Sequence, residues 1–198
     1  MQLNSKTRKL TYLAMFAAIS SVLMYIPEFP LPFLPPFLKL DLSGIPILLA
    51  AFMFGPLEGI TVTLIKDIAH LFGSTSGGVG ELSDFIIYTS FILVAFLVYR
   101  TKKTKKAAVL ACAAGTATIL ITGSLSNKYL IIPFYEKIMP IDAIIQACKA
   151  VNPYIDSINA YILFGVVPFN FIKGTIISVV TLLVYKRLSV LIKGRIAA

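Results

Sequence analysis

Polar and charged positions along this chain gather in short clusters, and the stretches between them are apolar enough to read as helices. The first run covers about Leu10 to Ile26 and stops at Pro27. A second runs from Gly44 to Phe54, turns at Gly55-Pro56, and gives way to a third from Leu57 to Phe72. Counting back about 20 residues from Arg100 starts a fourth near Gly80 and Glu81. A fifth covers Ala107 to about Asn127, and a sixth begins near Val167 and ends at Lys186. Several of these approach the roughly 20 residues that cross a bilayer core of about 30 Å. The pattern predicts an all-α polytopic protein with six transmembrane helices. Residues 1–198 form a single integral membrane domain, with no stretch left for a soluble one.

Composition strengthens that reading. The chain is 58% hydrophobic and 14% charged, with a mean hydropathy of +0.87, whereas soluble domains are about a quarter charged. A net charge of +9 in a soluble domain would point to nucleic acid; its distribution here points to a membrane instead. Lys6, Arg8 and Lys9 precede the first run. Arg100, Lys102, Lys103, Lys105 and Lys106 share one loop, and Lys186, Arg187, Lys193 and Arg195 close the chain. Outside the basic blocks, the connections carry Lys39, Lys128, Lys137 and Lys149. The positive-inside rule then places the N- and C-termini and the 100–106 loop in the cytoplasm, which an even number of spans satisfies. Cys112 and Cys148 fall on opposite sides, so no disulfide and no thiolate metal site is expected. The basic, apolar N-terminus lacks a small-x-small cleavage site and reads as an uncleaved first helix.

Against this apolar background a few polar positions stand out. Ala14 and Ala18 lie one turn apart, a small-xxx-small face that serves either packing within the bundle or close approach of a partner helix. Residues 27–41 hold Pro27, Pro30, Pro32, Pro35 and Pro36, which excludes a regular helix and leaves a lid or a packed connector. Lys66, Asp67 and His70 sit in the outer half of the third run, with Lys66 and His70 at i,i+4; an internal ion pair and ligand contact both fit. The Gly-rich stretch 73–81 lacks the Lys-Ser/Thr ending of a P-loop and follows no strand. Asn170 and Lys173 lie one to two turns below the outer surface, where a lysine costs about 2.5–3.5 kcal/mol on insertion scales and needs a partner or a ligand. Asp41, Glu81, Asn127, Asn170 and Lys173 reach nearly the same depth from different parts of the chain. Together they describe the rim and floor of an outward-open pocket.

The segments Asp41-Leu42-Ser43-Gly44-Ile45-Pro46, Phe54-Gly55-Pro56-Leu57 and Leu64-Ile65-Lys66-Asp67-Ile68-Ala69-His70 carry a family resemblance. So do Gly80-Glu81-Leu82, Asn127-Lys128-Tyr129 with Pro133 and Tyr135, and Pro168-Phe169-Asn170-Phe171-Ile172-Lys173. In order and spacing they resemble the substrate-binding S components of energy-coupling factor (ECF) vitamin transporters, in the riboflavin-specific branch. The resemblance runs from the alanine motif to Lys173, and only 136–160 lacks a family pattern. It implies a bacterial plasma-membrane protein that binds riboflavin at the outer face, with the loop after the first span over the site. It also implies partners, namely a transmembrane coupling subunit and two ABC-type ATPases. The Ala14/Ala18 face matches the motif that docks on the coupling subunit. Riboflavin is then a transported ligand, with no cofactor, metal or enzymatic activity implied.

Such a ligand suits the residues. Asn170 and Lys173 can address the polar edge of an isoalloxazine ring, because asparagine offers donors and an acceptor. Leu40 and the Pro-rich loop can cover the ring faces. Asp41, Glu81 beside Gly80, and Asn127 can meet the ribityl hydroxyls. Other readings are an S component for thiamine or folate, a solitary secondary transporter, and a membrane enzyme using Lys66, Asp67 and His70. No inverted repeat supports the transporter, and no nucleophile–base constellation supports the enzyme.

Overall fold

The computed structural model describes residues 5–196 apart from 27, 36 and 101–103, with backbone only for 5 and 186–196. Pro27, Pro36, Lys102 and Lys103 thus lie outside the described residues, as do the side chains of Lys186, Arg187, Lys193 and Arg195.

Helix α1 spans Ser5–Tyr25, and the Pro-rich segment after it folds back as a small hairpin. Its strands β1 (Phe29–Pro30) and β2 (Lys39–Leu40) are antiparallel, with Phe29 opposite Leu40 and Pro30 opposite Lys39. Helix α2 is Gly44–Phe54, with Pro46 tolerated in its first turn. Between α2 and α3 (Pro56–His70), Gly55 takes φ 131°, a value side chains rarely adopt, and Pro56 starts the next helix. Helix α4 is Val79–Tyr99 and α5 is Lys105–Ser126.

Helix α2 sits at the centre, packed by α1, α3, α4 and the last helix, α9 (Val167–Ile196). Its apolar character on every side has that cause: Ile47, Leu48 and Ala50 are wholly buried. At 11 residues it is about 16 Å long, half a bilayer core. By length and composition, three helical stretches among the described residues are sufficient to cross a membrane: Val79–Tyr99, Lys105–Tyr135 and Ile158–Tyr185. The six apolar runs all appear as helices, and the short second run, Gly44 to Phe54, is α2 with those bounds.

Two expectations are corrected. The fifth run does not end at Asn127, because a π-helical turn over Asn127–Ile131 carries α5 into α6 (Ile132–Tyr135). The sixth does not begin at Val167: α8 (Ile158–Tyr161) passes through a second π turn, Ile162–Val166, into α9 (Val167–Ile196). Pro133 and Pro168 each follow such a turn by one or two positions. A proline lacks the N–H that would bond four residues back, and the wider turn accommodates that loss without ending the helix. The 128–160 connection is therefore largely helical, and its middle is α7 (Ile141–Val151). Ile144 and Cys148 of α7 enter an apolar cluster with Leu34, Leu38 and Leu40 of the hairpin segment and with Tyr161, Val166 and Phe169. The Pro-rich segment is thereby packed onto the bundle end opposite the close of α4 and the start of α5.

Candidate functional site

A cavity opens at that same end. It is walled by Met24 of α1, Phe37 to Lys39 of the hairpin, His70, the start of α4, the π turn after α5, Tyr161, and one face of α9. Asp41, Gly80, Glu81, Asn127, Asn170 and Lys173 all line it. Leu40, the remaining expected ligand contact, is 3% exposed and belongs to the apolar cluster behind the hairpin rather than to the lining.

Local chemistry explains how each side chain is held. Asp41 stands just before α2, where one carboxylate oxygen accepts from the Ser43 backbone N–H (2.8 Å) and from the Ser43 hydroxyl. Its other oxygen accepts from the Lys173 ammonium at 2.8 Å. Lys173 also donates to Asp84 at 3.3 Å, and the second oxygen of Asp84 accepts from Lys66 at 2.6 Å. Lys66 pairs in turn with its neighbour Asp67 and reaches Met24 Sδ of α1 at 3.2 Å. Both ammonium groups lie over the Tyr88 ring, 5.5 Å and 5.2 Å from its centre. Three carboxylates and two lysines thus form one buried network joining the start of α2 to α3, α4 and α9. Mutual pairing is what makes such charges tolerable away from water.

Lys173 therefore does not pair with Asp67; Asp41 and Asp84 take it instead. Nor do Lys66 and His70 act together despite their shared face, since His70 Nδ1 lies 2.7 Å from Glu81 Oε1. The Gly-rich stretch serves Glu81 as well. Ser74 and Ser76 donate to Glu81 Oε2 at 2.9 and 3.1 Å, while their hydroxyls accept the N–H groups of Ser76, Gly78 and Gly80. The amides that in a phosphate cradle would face an anion are here turned onto serine oxygens.

On the opposite wall, Asn127 donates to the Gly123 carbonyl at 2.9 Å and accepts from the Tyr161 hydroxyl at 3.0 Å. Asn170 donates to the Val166 carbonyl at 2.9 Å. A Cβ on Gly123 would stand 2.6 Å from the Asn170 amide nitrogen, so glycine there is what lets α9 present Asn170 so close to α5. Asn127 opens one π turn, and Asn170 in α9 donates to the last residue of the other, Val166; such turns are common at functional sites.

Sequence reasoning missed Asp84 and Tyr161 as site residues and did not give His70 its carboxylate partner. A signal for Asp84 was present: it follows Glu81 by three residues, one turn deeper on the same face. Nothing in the linear pattern announced Tyr161.

The structure is a helical bundle with apolar helices and a polar cavity at one end. The chain belongs to the family described as ECF transporter, substrate-specific component, whose model it matches over residues 8–185. It is 36% identical to the riboflavin transporter RibU of Staphylococcus aureus, over 95% of this chain and 94% of that protein. To the riboflavin transporter FmnP of Bacillus subtilis it is 33% identical, over 92% and 93% of the two chains. A solved structure described as the S component of a bacterial ECF transporter matches with a TM-score of 0.75 and 33% identity. That match covers 95% of this chain and 99% of the other.

Proposed function

We propose that this chain is the riboflavin-binding S component of an ECF importer, capturing the vitamin at the outer face of the bacterial plasma membrane. The observation that carries the reading is the convergence of Asp41, Glu81, Asn127, Asn170 and Lys173 on one cavity, in a chain whose relatives are riboflavin transporters. Asn170 and Lys173 address the polar edge of the ring. Asn127, Glu81 and Asp41 serve the ribityl hydroxyls, and Gly80 keeps that wall low. Leu40 acts from behind, holding the hairpin against the chamber. Each asparagine spends one amide N–H on a carbonyl of its own helix, which leaves the second for ligand.

The whole chain acts as one membrane unit with both termini in the cytoplasm, and it works as a binding subunit rather than an enzyme. Its partners are a transmembrane coupling subunit and two ABC-type ATPases. The docking face is α1, where Ala14 and Ala18 are exposed beside Leu10 and Val22. Small side chains there admit a partner helix at close range.

The test is titration of the detergent-purified chain with riboflavin, thiamine and folate. Quenching of flavin fluorescence to saturation at one equivalent, with no competition from the other two vitamins, is the expected result. Competition by thiamine or folate, or an absence of quenching, would refute the assignment of ligand.

A further inference from the structure

The buried network contains more than Lys173 needs for charge balance, and its middle member is Asp84. Asp41 by itself neutralises Lys173 at 2.8 Å, and Asp67 by itself neutralises Lys66. Asp84 then adds a third carboxylate, shared between the two ammonium groups at 3.3 and 2.6 Å. Surplus negative charge in a membrane interior is costly, so pairing alone does not account for it.

We infer that Asp84 is a ligand-positioning residue, which together with Asp41 clamps the Lys173 ammonium so that its remaining N–H is aimed at the ligand in the cavity. This rests on the flavin reading above. An ammonium carries three donors on a flexible stem and rotates freely when only one acceptor holds it. Here Asp41 and Asp84 engage two donors, and they come from different elements, the start of α2 and the body of α4. Asp41 is itself fixed by Ser43, and Asp84 is fixed by Lys66, so neither acceptor follows the lysine if it moves. The Tyr88 ring at 5.2 Å closes a third side. One donor is left, in a set direction, on a group that lines the chamber. Asp84 lines it too, with each oxygen held by a lysine, and the double-mutant cycle below separates an effect through Lys173 from a direct contact.

The pairing pattern also says what removal does. In Asp84→Asn, each lysine keeps one carboxylate, so the fold remains charge-paired. The asparagine NH2 then faces an ammonium, donor against donor, and Lys173 turns towards Asp41. The positioned donor is lost without the loss of either lysine.

The experiment is a double-mutant cycle on riboflavin affinity, read by fluorescence quenching, with the absorption spectrum of bound flavin recorded for each variant. Asp84→Asn is expected to weaken binding about ten-fold, comparable to one hydrogen bond at a buried ligand edge. Its bound-flavin absorption should move towards that of free flavin, a change that mere loosening of the bundle does not produce. Adding Asp84→Asn to Lys173→Met should cost little more than Lys173→Met alone, because the residue acts through that lysine. Asp84→Glu, which keeps both acceptors, should recover most of the affinity. Wild-type affinity and spectrum in Asp84→Asn, or losses that add in full, would overturn the inference. If Asp84→Asn is not monodisperse, Asp84→Ala, which also leaves each lysine its own carboxylate, takes its place: weaker binding with a shifted spectrum supports positioning, and wild-type affinity and spectrum refute it. A wild-type chain that leaves flavin fluorescence unchanged would sink the flavin reading itself, a failure visible before any variant is compared.

Discussion

Asn170 illustrates how much of a binding site is set by a neighbour with no side chain. Its amide lies against Gly123, where a Cβ would stand 2.6 Å away. Gly123→Ala should therefore push Asn170 from the cavity wall and weaken riboflavin binding, while the helix itself tolerates alanine well. Asn170→Ala should cost about 1–3 kcal/mol of binding, the range for leaving a buried partner unpaired. Fluorescence titration of both purified variants checks this, and a Gly123→Ala protein with wild-type affinity would show that the close approach is not needed. Lys173→Met should bind flavin worse and also be less stable than the wild type, because it leaves Asp41 without its cation in a network that then holds three carboxylates and one lysine. The residues most legible in the sequence were those whose polarity was anomalous for their depth, such as Asn170 and Lys173. Asp84 was just as anomalous, but Glu81 one turn away already satisfied the expectation of an acid at that face. Which carboxylate meets which lysine is a matter of helix packing, and periodicity along one helix carries no trace of it.

At the scale of elements, apolar periodicity located the helices and missed how they continue. The apolar pattern bounds the fifth run at Asn127 and the sixth at Val167, whereas a π turn at each place lets the helix run on. Amphipathic α7 was hidden because its apolar side is satisfied by the hairpin segment, a contact between distant parts of the chain. Helix α1 gives the clearest element-level prediction. Its small-residue face had two readings, and the exposure of Ala14 and Ala18 leaves it outside the bundle's own packing. Replacing both with Trp should keep riboflavin binding by the isolated protein intact and abolish uptake when the full transporter is reconstituted in vesicles with ATP. Parallel loss of binding and uptake would return this face to an internal role.

For the whole molecule the open quantity is orientation, and it follows from the basic blocks at the N-terminus, at 100–106 and at the C-terminus. The native cysteines do not report it. Cys112 is 2% exposed and Cys148 is wholly buried on the inner side of α7, where burial pushes the Cys148 thiol up to about 11. A thiol that far above neutral pH holds almost no thiolate, so Cys148 should stay unmodified by maleimide in the folded protein. Its place on the inner side of α7 makes Cys148 a silent background for introduced cysteines. Two introduced cysteines then decide the question. Tyr154 is 77% exposed in the connection between α7 and α8, and Lys105 is exposed at the start of α5. In intact cells a membrane-impermeant maleimide should modify Tyr154→Cys and spare Lys105→Cys, which should react only after the cells are opened. The chamber would then face outward, since it lies at the end opposite Lys105 and the start of α5. The reverse labelling pattern would place the cavity on the cytoplasmic side and make capture of an external vitamin impossible by this route.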